Sequence, residues 1–369
     1  MRILWLANVP SPYRVDFFNE LGKQCELTVL FEKKTSDERD KSWLNYSFQT
    51  FKGIFLRGKS INTDSAICPE VVSYVKGKTY DHVVVTNYYS PTGIIAVFYM
   101  RAHHIPYWIE GDGGFAKIGN GIKSRMKTFM ISGSKGCFST SKAHDEYYLA
   151  YGATKENIHR YPFTSIKKDD LINASALVAD GKLVIREKLG MTEKRIILSV
   201  GRFTYDRGYG KGFDILMKVA ESLRDDYGFY IVGDQPTQEF IEWKEKENLN
   251  NVNYISYISK EELSYYYAAS DGFVLLTRGD AWGLVINEAM VYGLPIITTP
   301  YCIAGTELVE DYVNGFLVDL DDVHNIVEKV KNITHSDNNY RYSLASREKI
   351  ENYTIEQMVN THMTIFSRK

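Results

Sequence analysis

No stretch of this chain approaches the roughly 18 consecutive apolar residues that a membrane-spanning helix requires, so any contact with a membrane is expected to be peripheral. The apolar run at the amino terminus, Met1 to Ala7, is too short for a signal peptide and leads straight into a folded pattern. The four cysteines, Cys25, Cys68, Cys137 and Cys302, lie scattered without paired spacing, which excludes a zinc ribbon and a Cys-x-x-Cys redox motif. A reduced, cytoplasmic setting is the expectation. No Asp-x-Asp arrangement is positioned to hold a divalent ion, so no metal and no other cofactor is expected. With 44 basic against 46 acidic side chains the net charge is −2, which argues against a whole-surface attraction to nucleic acid.

What is present suffices for two packed domains. A chain of 369 residues exceeds one ordinary domain, and 44% hydrophobic with 24% charged residues is the balance of a globular protein, not a disordered one. Strand signals at Arg2 to Ala7, Glu26 to Phe31 and Asp81 to Thr86 alternate with helix signals, the pattern of a parallel sheet with covering helices. The same grammar restarts at Arg195 to Val200. Between them, Ser165 to Gly190 reads as a linker and connecting helix.

The most informative stretch is Thr277 to Met290. A buried strand, Gly272 to Leu276, leads through a turn into a helix beginning at Gly283, and in an open parallel sheet ligands bind at that carboxyl edge. Backbone N–H groups at Gly283, Leu284 and Val285 would face an anion such as a diphosphate. Asp280 before the helix and Glu288 inside it are placed to grip separate parts of one polar ligand, although each acid alone also suits a helix cap or a solvated helix position. Further along the first half, Glu110-Gly111-Asp112-Gly113-Gly114 follows a strand and reads either as a cleft floor with two carboxylates or as a polar glycine turn.

At these residues the sequence resembles the retaining glycosyltransferases of GT-B architecture, family 4, whose signature is an acidic residue, seven residues, then Glu. Asp280 and Glu288 match that spacing, with Asp where Glu is usual, and the resemblance continues through Gly293-Leu294-Pro295, Gly305-Thr306-Glu307 and Asn314-Gly315. It implies an α/β fold of two Rossmann-like parallel-sheet domains facing across a cleft. Residues 1–165 would form the acceptor side and 166–354 the nucleotide-sugar donor domain, with the last helix, within 355–369, crossing back onto the first. The implied activity moves a sugar from a nucleotide-diphosphate sugar to a glycan or lipid-linked acceptor in bacterial surface polysaccharide synthesis.

The same resemblance assigns roles. Glu288 would hold the ribose and Asp280 the sugar hydroxyls, while Arg202 and Lys211, in a stretched Gly-Arg … Lys-Gly loop, would neutralise the diphosphate together with the amides of Gly283, Leu284 and Val285. Arg207 competes with Lys211 for that role. Tyr257 and Ile258 would border the nucleobase, unless they are edge-packed core, and Glu307 would approach the nucleotide end. A residue facing the reacting sugar is commonly His in the family; no His stands at that strand end here, and Asp112 or Glu110 takes its place. Two other readings share the fold: an epimerase or phosphorylase, and a catalytically silent binding protein.

One feature lies outside that assignment. From Lys117 to Ile131 no acid occurs, and Ile122, Met126, Phe129 and Met130 recur at helical spacing among Lys117, Lys123, Arg125 and Lys127. Such a helix either packs its apolar face on the domain or lies on an anionic lipid surface, placing the protein at the inner face of the membrane.

Overall fold

The computed structural model describes residues 1–35, 46–77, 79–116, 119 and 121–368. The chain divides into two compact units, Met1–Ser165 together with Thr354–Lys369, and Ile166–Tyr353. Both are α/β with a parallel main sheet, as the alternating signals predict.

In the first unit the strand order across the sheet is Lys52–Phe55, Glu26–Phe31, Arg2–Ala7, His82–Val85, Trp108–Glu110, Gly136–Ser139, Ile158–Arg160. The chain winds outward from Arg2–Ala7 in one direction, then returns to its other side at His82–Val85, so the order reverses between those two strands. Alternation along the first strand sorts its side chains between faces. Leu4 and Leu6 join a cluster with Val97 and Met100 of the helix Pro91–Ala102. Trp5 turns the other way, onto Phe17 and Phe18 of the helix Pro12–Leu21, with ring centroids at 5.5 Å for both. The last helix, Ile355–Phe366, packs beside Pro12–Leu21 on that same face, and its buried stripe is Ile355, Met358, Val359, His362, Ile365 and Phe366.

The second unit repeats the plan with six strands, in the order Val252–Ile255, Tyr227–Val232, Arg195–Val200, Gly272–Leu275, Ile296–Thr298, Gly315–Leu317. Here the reversal falls between Arg195–Val200 and Gly272–Leu275. The segment read as a linker is two helices, Lys168–Ala179 and Lys182–Leu189, and the second docks through Arg186, whose guanidinium reaches Asp271 at 2.6 Å. Among the described residues no helix is long and apolar enough to cross a membrane.

Candidate active site

The loops that follow the two central strands of the second unit meet at the point where the winding reverses. Gly283 caps the helix Leu284–Val291 with φ at +97°, and a Cβ there would lie 2.5 Å from Cys302 Sγ, so only glycine fits. The first-turn amides of Leu284 and Val285 have no acceptor within the helix, and they carry the positive end of its dipole. Asp280 is fixed just ahead of them: its N–H donates to Tyr301 O at 3.0 Å, and its Oδ1 accepts from the Trp282 N–H at 3.3 Å. The other oxygen, Oδ2, accepts from Lys211 Nζ at 2.6 Å.

Lys211 reaches Asp280 because its loop is fastened to the end of the neighbouring strand. The Thr277 hydroxyl and the Arg278 N–H both donate to Gly210 O at 2.9 Å, and Arg278 grips Asp214 with two nitrogens at 2.8 Å each. Gly212 sits at φ +73°, where any Cβ would run into Leu276 O. At the loop's start, the Asp234 carboxylate accepts from the N–H groups of Phe203 and Thr204, which fixes the backbone leaving Arg202. The stem of Lys211 passes Gly201, with Cγ 3.1 Å from where a Cβ would stand. Arg207 instead lies exposed in a left-handed pair with Asp206, both at φ 52°. Of the two competing cations, Lys211 is the one brought to Asp280.

Glu288, on the same helix, accepts from the Tyr267 hydroxyl at 3.0 Å. Burial, and then the Glu288 charge, push that phenol well above 10.0, so it remains a donor. Tyr257 and Ile258 lie in the loop between the edge strand Val252–Ile255 and the helix Lys260–Ala269, with Tyr257 exposed. Glu307 sits part-buried on the helix Ile303–Leu308. Parallel strands place all of these at one carboxyl edge, but Tyr257 and Ile258 follow a strand one removed from Arg195–Val200.

In the first unit the corresponding strand is Trp108–Glu110. Its register then makes Glu110 the last strand residue, opposite Phe138, and not part of the glycine turn. Glu110 is 0% exposed, an interior carboxylate rather than a turn residue. Its Oε2 accepts from Arg14 Nη1 at 2.8 Å and from the Thr86 hydroxyl at 3.2 Å. Burial raises this carboxyl, but the charges of Arg14 and His362 outweigh it and hold the group at about 2. Asp112, at 38% exposed, is the member of the pair that solvent reaches.

His144, in the helix Lys142–Ala150, lies against Gly111, where a Cβ would come within 3.2 Å of its Cε1. Burial pushes this imidazole down to about 3, so it is neutral. Sequence reading also missed Arg14 and His362, though each lies on the apolar stripe of its helix, and a polar residue on such a stripe is the signal that marks them. Nothing local marks the Asp214–Arg278 pair.

The basic helix spans Ile122–Ser132. It buries Met130 and Ile131, while Ile122 is 77% exposed and Phe129, seven residues on along the same face, packs on exposed Phe98 at 4.7 Å. Lys123 and Arg125 are exposed, whereas the Lys127 ammonium turns back, 5.1 Å from the rings of both Tyr147 and Tyr151. Lys117 lies outside the described residues.

The family match falls mainly on the second unit. Residues 182–357 match the family described as Glycosyl transferases group 1. An uncharacterized 41.2 kDa protein in the cps region of Klebsiella pneumoniae is 30% identical over 174 residues, covering 47% of this chain and 46% of that protein. The lipopolysaccharide glucosyltransferase WaaG of Escherichia coli is 28% identical over 130 residues, 35% of this chain and 34% of its own. The chain thus matches about half, or less, of the length of these curated relatives. Among solved structures, Anabaena HepE in complex with UDP and glucose superposes with a TM-score of 0.74 over 100% of this chain and 99% of that one; at 16% identity this likeness shows the fold.

Proposed function

We propose, from the match of residues 182–357 to the glycosyl transferases group 1, that this chain moves a sugar from a nucleotide-diphosphate sugar to a glycan or lipid-linked acceptor, with retention at the anomeric carbon. The observation that carries the reading is the Lys211–Asp280 pair, 2.6 Å apart at the reversal point and just ahead of a helix N-terminus. Lys211, Arg202 and the amides of Gly283, Leu284 and Val285 stabilise the charge that grows on the departing diphosphate. Asp280 holds sugar hydroxyls, Glu288 the ribose, Tyr257 and Ile258 the base, and Glu307 the nucleotide end. In the transfer, the bond from the anomeric carbon to the diphosphate oxygen breaks. The acceptor hydroxyl bonds to that carbon on the same face, and its proton passes to the departing phosphate. Asp112, which solvent reaches, holds the reacting sugar or the acceptor hydroxyl. The cations and amides supply the charge that a metal supplies elsewhere, so the transfer runs without one. The names of the relatives, a protein of a cps region and a lipopolysaccharide glucosyltransferase, support a bacterial surface polysaccharide or glycolipid as product.

A thermal-shift series with UDP, GDP, ADP and their sugars, with and without EDTA, tests this reading. One nucleotide family is expected to raise the melting temperature by mass action, insensitive to EDTA, and Glu288→Ala to weaken that nucleotide about tenfold or more, as loss of a charge-assisted hydrogen bond does. No stabilisation by any of them would sink the transferase reading in favour of a silent binding protein.

A lipid-linked acceptor would give the exposed face of Ile122–Ser132 a purpose. Lys123 and Arg125 beside Ile122 and Phe129 match an anionic bilayer surface. Each basic residue near such a surface adds about 1 kcal/mol, so the double change Lys123→Ala, Arg125→Ala is expected to lower partitioning onto phosphatidylglycerol vesicles about thirtyfold. Equal sedimentation of parent and variant with those vesicles would refute the contact.

A further inference from the structure

We infer that Arg14 and Tyr13 aim the Asp112 carboxylate, and that a buried contact between Glu110 and His362 keeps Arg14 in place; the inference rests on the reading of Asp112 as the group that meets the sugar or acceptor. Each oxygen of Asp112 has its own donor. Arg14 Nη2 donates to Oδ1, and the Tyr13 hydroxyl donates to Oδ2 at 2.7 Å. A carboxylate held at both oxygens has a fixed plane, and at 38% exposed it still offers lone pairs to a ligand. Burial, and then the Asp112 charge, push the Tyr13 phenol up, so it stays protonated and donating.

The donors are themselves fixed. Pro12 opens the helix Pro12–Leu21 after an extended Ser11, which puts Tyr13 and Arg14 in its first turn. The Arg14 guanidinium is 4% exposed, with its carbon 5.6 Å from the Tyr13 ring and 5.5 Å from that of Phe163, and its other terminal nitrogen is spent on Glu110. Glu110 is anchored in turn from the end of the chain. The His362 Nδ1–H donates to Met358 O at 2.8 Å, because a carbonyl can only accept. Nε2 then faces Glu110 Oε1 at 3.4 Å, and neither atom has a hydrogen-bond partner. The imidazole lies stacked on Phe138 at 4.3 Å, with Tyr161 at 4.5 Å and Phe17 at 5.1 Å, so aromatic rings fix its plane. Among the described residues, the titratable groups seen against it are Glu110 and Tyr161. The chain's last helix therefore sets where a carboxylate in the first unit points.

A double-mutant cycle separates aiming from mere support. The readout is nucleoside diphosphate released by hydrolysis of UDP-glucose, GDP-mannose and ADP-glucose, with water taking the sugar in place of the acceptor and the melting temperature measured in parallel. Tyr13→Phe keeps the ring on Phe163 and removes one hydrogen bond; it is expected to lower kcat about tenfold with donor KM unchanged, the effect of losing a bond to a charged group in the transition state. In an Asp112→Asn background the same change is expected to cost nothing further, and Arg14→Lys, which keeps the charge but not the fork, to retain part of the activity that Arg14→Ala loses. A tenfold loss that persists in the Asp112→Asn background, or no loss from Tyr13→Phe, overturns the aiming role. Full activity of Asp112→Asn alone overturns the reading of Asp112, and no release from any of the three sugars overturns the transferase reading beneath both.

Discussion

Lys211→Ala is expected to lower turnover about a hundredfold or more, the usual cost of removing a group aimed at charge that develops in the transition state. Stability is expected to move by less than about 1 kcal/mol, because the pair with Asp280 is still reached by solvent and such ion pairs contribute little. The split between the two measurements is what identifies a diphosphate-binding cation. The loop itself should survive the change: Arg278 holds Asp214 and Tyr209 O, Thr277 holds Gly210 O, and Asp234 holds the two amides after Arg202. None of those bonds involves Lys211. Arg207→Ala serves as the control, since Arg207 is exposed and its loss should leave kcat near the parent value. Steady-state kinetics with the stabilising nucleotide sugar, beside a thermal melt, decide the matter. Near-normal kcat for Lys211→Ala would remove it from the reaction, and a large loss for Arg207→Ala would transfer the role to that residue.

How far the sequence carried the site around Asp280 depended on how local each signal is. The strand, turn and helix around Asp280 and Glu288 were legible because apolar runs, a glycine and acids at helix positions all fall within about twenty residues. That Lys211 would meet Asp280 needed the strand order as well. It is read correctly only once Arg195–Val200 and Gly272–Leu275 are known to be neighbours, and a doubly wound sheet makes them so at its reversal point. The first unit was harder. Its strand runs through Glu110, which puts that carboxylate in the interior and not in the glycine turn, and no local pattern marks that end. His144 reached Gly111 from a later helix, beyond any motif length. Short strands such as Gly315–Leu317 hold too few residues to show a period. Arg14 and His362 are intermediate cases: helical periodicity put both on buried faces, but their partner Glu110 is 96 residues from Arg14, and only packing joins them.

That buried joint carries the largest stability effect. Glu110→Ala would leave Arg14, 4% exposed, with Asp112 as its one remaining carboxylate, and would strip His362 Nε2 of the group it faces. Removing one partner of a buried pair costs about 3–5 kcal/mol, since the other charge stays out of water uncompensated. For a unit of this size that is a fall of roughly 6–20 °C in melting temperature. The pH dependence gives a second test with a fixed sign. The folded protein holds the Glu110 carboxyl at about 2, below its ordinary 4.5, so it binds fewer protons than the unfolded chain in between. Its contribution is therefore complete above about 4.5 and is lost as pH falls through that window toward 2. Glu110→Gln keeps the shape and one acceptor for Arg14 but has no proton to gain. Its stability should lie below the parent's at neutral pH, by less than that of the alanine variant, and the gap should close as the solution is acidified from 4.5 to 2. Denaturant melts of the three proteins across that range measure it. A gap that stays constant with pH, or an alanine variant within about 1 kcal/mol of the parent, would mean that Arg14 finds its compensation elsewhere and that Glu110 does not hold it.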